Sequence, residues 1–175
     1  MGRALVVCYS LTGHTQRVAD AVAARLGATL EPIRETRPRA GVAGYLRAGW
    51  EALRKRPAGI VPATHDPGDY DLVVVGTPVW AGNMSSPVRA YIDAHAGRLR
   101  HVAFFCTQGG SGGERVCSSM ASLCGADPVA TLVVTERQLR DGSSDDAVAA
   151  FTAALRAARV PGEGKASATA ASRRS

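Results

Sequence analysis

The chain has 175 residues, 46% hydrophobic and 21% charged, with a mean hydropathy of −0.02 and a formal charge of +6. That composition suits one globular domain, expected over residues 1–160, followed by a flexible Ala/Ser/Arg tail at 161–175 that carries +2 of the charge. No apolar run approaches the ~20 residues of a membrane span, no signal-peptide core opens the chain, and no aromatic-interleaved basic stripe suits nucleic acid, so a cytoplasmic protein that attracts anionic, phosphate-bearing cofactors is expected.

The first element is the apolar run Ala4-Leu5-Val6-Val7-Cys8-Tyr9, read as a buried strand. It opens into Ser10-Leu11-Thr12-Gly13-His14-Thr15, and a helix follows with Val18, Val22 and Leu26 on one face. Three short hydroxyl side chains, a glycine for a sharp turn and the unpaired N–H groups of a helix start make a socket for a phosphate. The socket lacks the lysine of the G-x-x-x-x-G-K-[ST] loop, and the strand is not followed by G-x-G-x-x-G. It therefore suits the terminal phosphate of a mononucleotide. His14 stands where a partial positive charge beside that phosphate would help.

Gly27 stops the helix, and Ala28 to Ile33 reads as an edge strand because Pro32 is tolerated only there. Glu35 to Gly44 is a loop, and Tyr45 to Lys55 a helix with Leu46, Trp50 and Leu53 facing the core. Asp66, Asp69 and Asp71 follow loop prolines and serve turns and a strand start rather than a metal. Tyr70 to Gly76 is a central parallel strand buried on both faces. It opens into a loop, Thr77 to Ser86, before a helix through Val88, Tyr91, Ile92 and His95. Val102 to Thr107 is a strand that opens into Gln108-Gly109-Gly110-Ser111-Gly112-Gly113. A helix with Val116, Met120 and Leu123, a strand at Val129 to Val134 and a helix with Val148, Phe151 and Leu155 complete the body.

Four cysteines, Cys8, Cys106, Cys117 and Cys124, show neither zinc spacing nor a disulfide framework; Cys8 and Cys106, in strand-like runs, are read as small buried hydrophobes, and Cys117 and Cys124, seven apart, share a helix face. Gly109 to Gly113 fits the G-x-S-x-G nucleophile elbow, but every histidine precedes Ser111, which excludes the triad order of that fold.

Alternating strands and helices predict a doubly wound parallel sheet, with the loops after the first, third and fourth strands on one edge. Ser10-x-Thr12-Gly13-x-Thr15, then Gly76-Thr77-Pro78-Val79-Trp80, then Thr107-Gln108-Gly109-Gly110 resembles the flavodoxin family and its FMN-dependent reductase relatives, over about residues 4–158. The resemblance implies a three-layer αβα fold with a five-stranded sheet in the order 2-1-3-4-5 and non-covalent FMN. It puts the phosphate at Ser10, Leu11, Thr12, Gly13, His14 and Thr15. The flavin ring would then lie between Thr77, Pro78, Val79, Trp80, Ala81, Gly82 and Asn83 on one side and Thr107, Gln108, Gly109 and Gly110 on the other. Gly82 is the implied peptide that answers flavin reduction by flipping.

Flavodoxins that act as carriers bracket the ring with two aromatics and surround it with acid. Here the third loop has no aromatic and the protein is basic. That departure favours an enzyme taking a hydride from NAD(P)H and passing electrons to a quinone or similar acceptor. A carrier serving a protein partner is the alternative, and a scaffold that has lost FMN is a third. Residues 35–56 have two open placements, over the flavin edge or at a homodimer surface.

Overall fold

The computed structural model describes residues 2–36 and 59–158. The expected helix around Trp50, the 35–56 segment beyond Thr36 and the 161–175 tail lie outside these residues. Strand β1 (Ala4–Cys8) leads into helix α1 (His14–Leu26) and strand β2 (Thr29–Pro32). Then come β3 (Leu72–Trp80), β4 (Asn83–Met84), α2 (Ser86–His95), β5 (Val102–Gln108) and α3 (Gly113–Cys124). Strand β6 (Thr131–Thr135), α4 (Glu136–Asp141) and α5 (Ser144–Ala157) end the described chain.

The main sheet has the order β2-β1-β3-β5-β6 with every pair parallel, and β4 pairs antiparallel with the end of β3. This is the expected doubly wound α/β topology, with one short strand added. Successive residues of a strand face opposite sides, and the two cores follow that alternation. Leu5, Val7, Val73, Val75, Phe104 and Cys106 join Val88, Tyr91, Ile92, Val116 and Met120 from α2 and α3. Ala4, Val6, Cys8, Leu72, Val74 and Phe105 join Val18, Val22, Leu26, Val148, Phe151 and Leu155 from α1 and α5. A sheet sealed on both faces needs apolar residues at consecutive positions, which is why β1 and β3 read as unbroken runs.

Strand β2 is an outer strand, and Pro32 sits at its last position. Its Glu31 points inward. The carboxylate is 7% exposed and accepts bonds from the backbone N–H of Thr64 and His65, and it lies 3.1 Å from the His65 ring Nδ1. Asp66 caps the turn Pro67–Asp69 by accepting from Gly68 N–H, and Asp71 accepts from Arg3 N–H, in line with the turn and strand-start reading.

Two stretches differ from the sequence reading. Thr77 to Trp80 continues β3 and folds back through Ala81-Gly82 into β4, so the expected loop is a hairpin. Between β6 and the last helix lies the extra helix α4, started by a capping box in which the Thr135 hydroxyl accepts from Gln138 N–H while the Gln138 side chain accepts from Thr135 N–H. No described helix is long and apolar enough to cross a membrane.

Candidate functional site

In an open parallel sheet the crevice forms where strand order reverses, outside the strand C-termini. Here that point lies between β1 and β3. The β1–α1 loop is shaped by Gly13, left-handed at φ 91°, which serves as N-cap of α1 without any side-chain cap. The first-turn N–H groups of α1 therefore keep their positive ends for an outside acceptor. The Ser10 hydroxyl accepts from Gly13 N–H at 3.1 Å, which fixes the loop and leaves its own hydrogen to donate. Thr12 and His14 are exposed, and Leu11 is half-buried against the core under α2 and α3.

Thr15 is buried, and its hydroxyl lies 2.8 Å from the Thr107 hydroxyl at the end of β5. A hydroxyl pair shares one hydrogen and keeps the other, so this contact clamps the first loop to the third while retaining a donor. Gln108 turns back and accepts from Gly113 N–H at 2.7 Å, capping α3. Gly109 and Gly110 remain exposed at the edge.

The β3–β4 hairpin is held by different means. Thr77, buried, accepts from Ser85 N–H at 3.0 Å, and its hydroxyl lies 3.1 Å from that of Ser85. Pro78 pairs in register with Thr107, and Val79 with Met84. At the tip Ala81 is left-handed at φ 46° and Gly82 at φ 70°, and the Asn83 side chain donates to Ala81 O. Arg115 of α3 donates to Gly82 O at 2.8 Å. A side-chain carbon on Gly112 would stand 3.5 Å from Gly82 Cα, so the hairpin and the glycine loop meet backbone to backbone.

Trp80 is 9% exposed and packs edge-on against Tyr9, with ring centroids 5.5 Å apart. The structure thus places it in the core beneath the hairpin. Tyr9 donates its hydroxyl to Glu35 at 2.7 Å.

Two residues join the site that the sequence reading did not single out. Glu136 opens α4 with its carboxylate 3.7 Å from His14 Nδ1, and a side-chain carbon on Gly109 would come within 3.3 Å of it. Its signal was topological, since it follows a parallel strand and so must emerge on the same edge. Arg115 had no such signal. All four thiols are free and buried, and no cluster of His, Cys, Asp or Glu among the described residues suits a metal. A cavity of about 170 Å³ beside β2, lined by Val7, Glu31, Ile33, Ile60, Thr64 and Tyr91 among others, shares no residue with these loops.

The donor set therefore consists of an uncapped helix start, free hydroxyl hydrogens and a histidine, all converging on a glycine-lined edge. Such donors are of the kind that suit a phosphate monoester, and glycines lacking side chains leave backbone open to a flat group.

Comparison with known proteins identifies the fold that carries these loops. The family description that fits the chain, over residues 3–153, is flavodoxin. A Lactobacillus acidophilus NCFM flavoprotein in complex with FMN superposes with a TM-score of 0.67 at 19% identity, covering 82% of this chain and 99% of its own. A Bacteroides eggerthii DSM 20697 protein assigned as a flavoprotein gives 0.70 at 22% identity, covering 89% and 99%. A flavodoxin, WrbA-like protein of Agrobacterium tumefaciens gives 0.57 at 19% identity, covering 91% and 95%. At these identities the likeness is one of fold.

Proposed function

The chain belongs to the flavodoxin family, and from that premise we propose that it binds FMN non-covalently at this edge and moves electrons between NAD(P)H and a quinone or similar small acceptor. The observation that carries the reading is the uncapped start of α1, where Gly13 leaves the first-turn N–H groups open and Ser10 and Thr12 stand beside them. A phosphate monoester satisfies those donors and complements the positive end of the helix. Bound FMN would supply reversible one- and two-electron chemistry.

Within this reading each loop has a separate task. Ser10, Thr12 and the α1 amides bind the phosphate, and Glu136 orients His14 at the rim of the socket. Thr15 and Thr107 hold the first and third loops at a fixed separation. The hairpin from Thr77 to Ser85 and the glycine loop form the two sides of the ring site, and Arg115 keeps the hairpin tip against α3. The third loop carries no aromatic side chain, and Trp80 lies edge-on against Tyr9. A ring face that these two loops leave without an aromatic cover suits a nicotinamide donor, since the reacting atoms must approach within ~3–3.5 Å.

The test is a visible absorption spectrum of the purified protein, taken alone, with FMN, and then with NADPH and a small quinone. A flavin spectrum that bleaches with NADPH and returns with quinone is the expected result. Bound flavin that stays oxidised indicates a carrier with a protein donor, and failure to bind FMN overturns the reading.

A further inference from the structure

The cavity of about 170 Å³ beside β2 lies apart from the crevice loops, and its walls are tied in place. Residues 60–65 run back along β2. Ile60 bridges Glu35 in antiparallel sense, Val61 N–H donates to Arg34 O at 2.8 Å, and the N–H groups of Thr64 and His65 donate to the Glu31 carboxylate. Both ends of the stretch are thus fixed to the strand, while Val7 of β1 and Tyr91 of α2 complete the enclosure. Pro32, Arg34, Val61 and Thr64 stand in the same walls and are exposed, so the cavity opens to solvent.

Two polar groups of these walls have bonding capacity left over. Tyr91 is 1% exposed, and its hydroxyl has no hydrogen-bond partner in the structure. Burying a hydroxyl in that state is costly, and a group placed beside a cavity can recover the loss from whatever enters. Burial, with the nearby Glu31 charge, holds the phenol above its usual range, so it keeps its hydrogen and acts as a donor. Glu31, 7% exposed, supplies the matching acceptor. Its carboxylate has four lone-pair positions; Thr64 N–H takes one on Oε1, and the His65 N–H and ring nitrogen meet Oε2, so Oε1 keeps one open. Val7, Ile33, Ile60 and Ala63 make much of the remaining lining apolar.

We propose that this cavity binds a small planar molecule with a carboxamide or ring-lactam edge, whose carbonyl accepts from the Tyr91 hydroxyl and whose N–H donates to Glu31 Oε1. A cavity of about 150 Å³ holds one benzene ring, so this one has room for a single ring directed by its polar edge. A carboxylate of the same shape brings a second negative charge against Glu31 and no donor for it, and a hydrocarbon leaves both polar groups unmatched. The binding stands whether or not FMN occupies the crevice, because the two places share no residue.

The experiment titrates the isotope-labelled full chain with benzamide, benzoate and ethylbenzene and follows the backbone amide signals by NMR. Benzamide is expected to give saturable shifts at the Thr64 and His65 amides, which bond to Glu31, and none at residues 10–15 or 109–113. Benzoate and ethylbenzene should bind about tenfold more weakly or not at all, each lacking one of the two bonds or both. Tyr91→Phe is expected to keep the urea midpoint, since the hydroxyl it removes has no partner, and to weaken benzamide about tenfold. The proposal is overturned if benzamide shows no saturable shift, if its shifts fall on the crevice loops, if benzoate or ethylbenzene binds as well, or if Tyr91→Phe binds benzamide as tightly. Should Tyr91→Phe fail to fold, the comparison of benzamide with benzoate on the unaltered chain decides.

Discussion

The loop from Ser10 to Thr15 and the hairpin from Thr77 to Ser85 face the same crevice but are built in opposite ways. The first takes its shape from neighbours in sequence: a left-handed Gly13 and a Ser10 hydroxyl three residues away, with one distant clamp at Thr107. The second is a strand end bent back through two left-handed residues, and its tip is held by Arg115, 33 residues on. A locally built loop keeps its donors poised whatever the rest of the site does. A tethered one moves when its tether moves, so the two sides of the crevice are expected to differ in stiffness.

Substitutions test that difference, beginning where the hairpin leaves the sheet. A side-chain carbon at Gly76 would land on the ring of Phe105, which is fully buried. Gly76→Ala is expected to cost about 3 kcal/mol by overpacking, read as a lower urea midpoint, with partial rescue by Phe105→Leu. A full-strength Gly76→Ala protein would show that the base of the hairpin yields as readily as its tip.

The clamp between the loops comes next. Thr15→Val strands the Thr107 hydroxyl in the interior and is expected to destabilise by about 2 kcal/mol, whereas Thr15→Val with Thr107→Val recovers much of it. Additive losses across this cycle would mean that the two hydroxyls do not act together. In the socket itself, Thr12 is exposed, so Thr12→Val should leave folding unchanged and weaken FMN about tenfold, one charge-assisted bond of ~1.5 kcal/mol. Unaltered FMN titration would move the phosphate elsewhere.

At the hairpin tip the effects are smaller. Gly82→Ala is expected to cost about 1 kcal/mol for a left-handed alanine, and Ala81→Gly to recover about 0.5 kcal/mol at its neighbour. Arg115→Ala removes one exposed bond, so we expect under about 0.5 kcal/mol in thermal unfolding but faster amide exchange at residues 81–85. Unchanged exchange there would show the tip to be held by its own turn, and the contrast between the two loops would disappear.

The same contrast explains what could be read before the structure. The apolar runs of β1 and β3, the helix faces of α1 and α5 and the Gly13 turn are local patterns, and each stands where the periodicity put it. The α4 capping box, Thr135 with Gln138 three residues later, was equally local and went unread. The hairpin escaped for a physical reason: its turn is Ala81-Gly82, not the Asn-Gly or Asp-Gly pair that announces such turns. The Thr15–Thr107 clamp spans 92 residues and the Arg115 tether 33, so no sequence window contains either. Trp80 falls in the stretch that the resemblance sets beside the ring, and the strand's pleat turns its side chain against Tyr9 in the core.

Strand β2 has a consequence outside the site. Among the described residues its backbone forms one margin of the sheet, and a sheet margin is where a second molecule can add its own strand. The strand is four residues long, ends on a proline with no hydrogen to give, and turns the Glu31 carboxylate into the protein. A neighbour pairing there would find a short ladder with a donor missing and a charge it could not displace. The margin thus guards against aggregation, and Pro32→Val would be the substitution that weakens it.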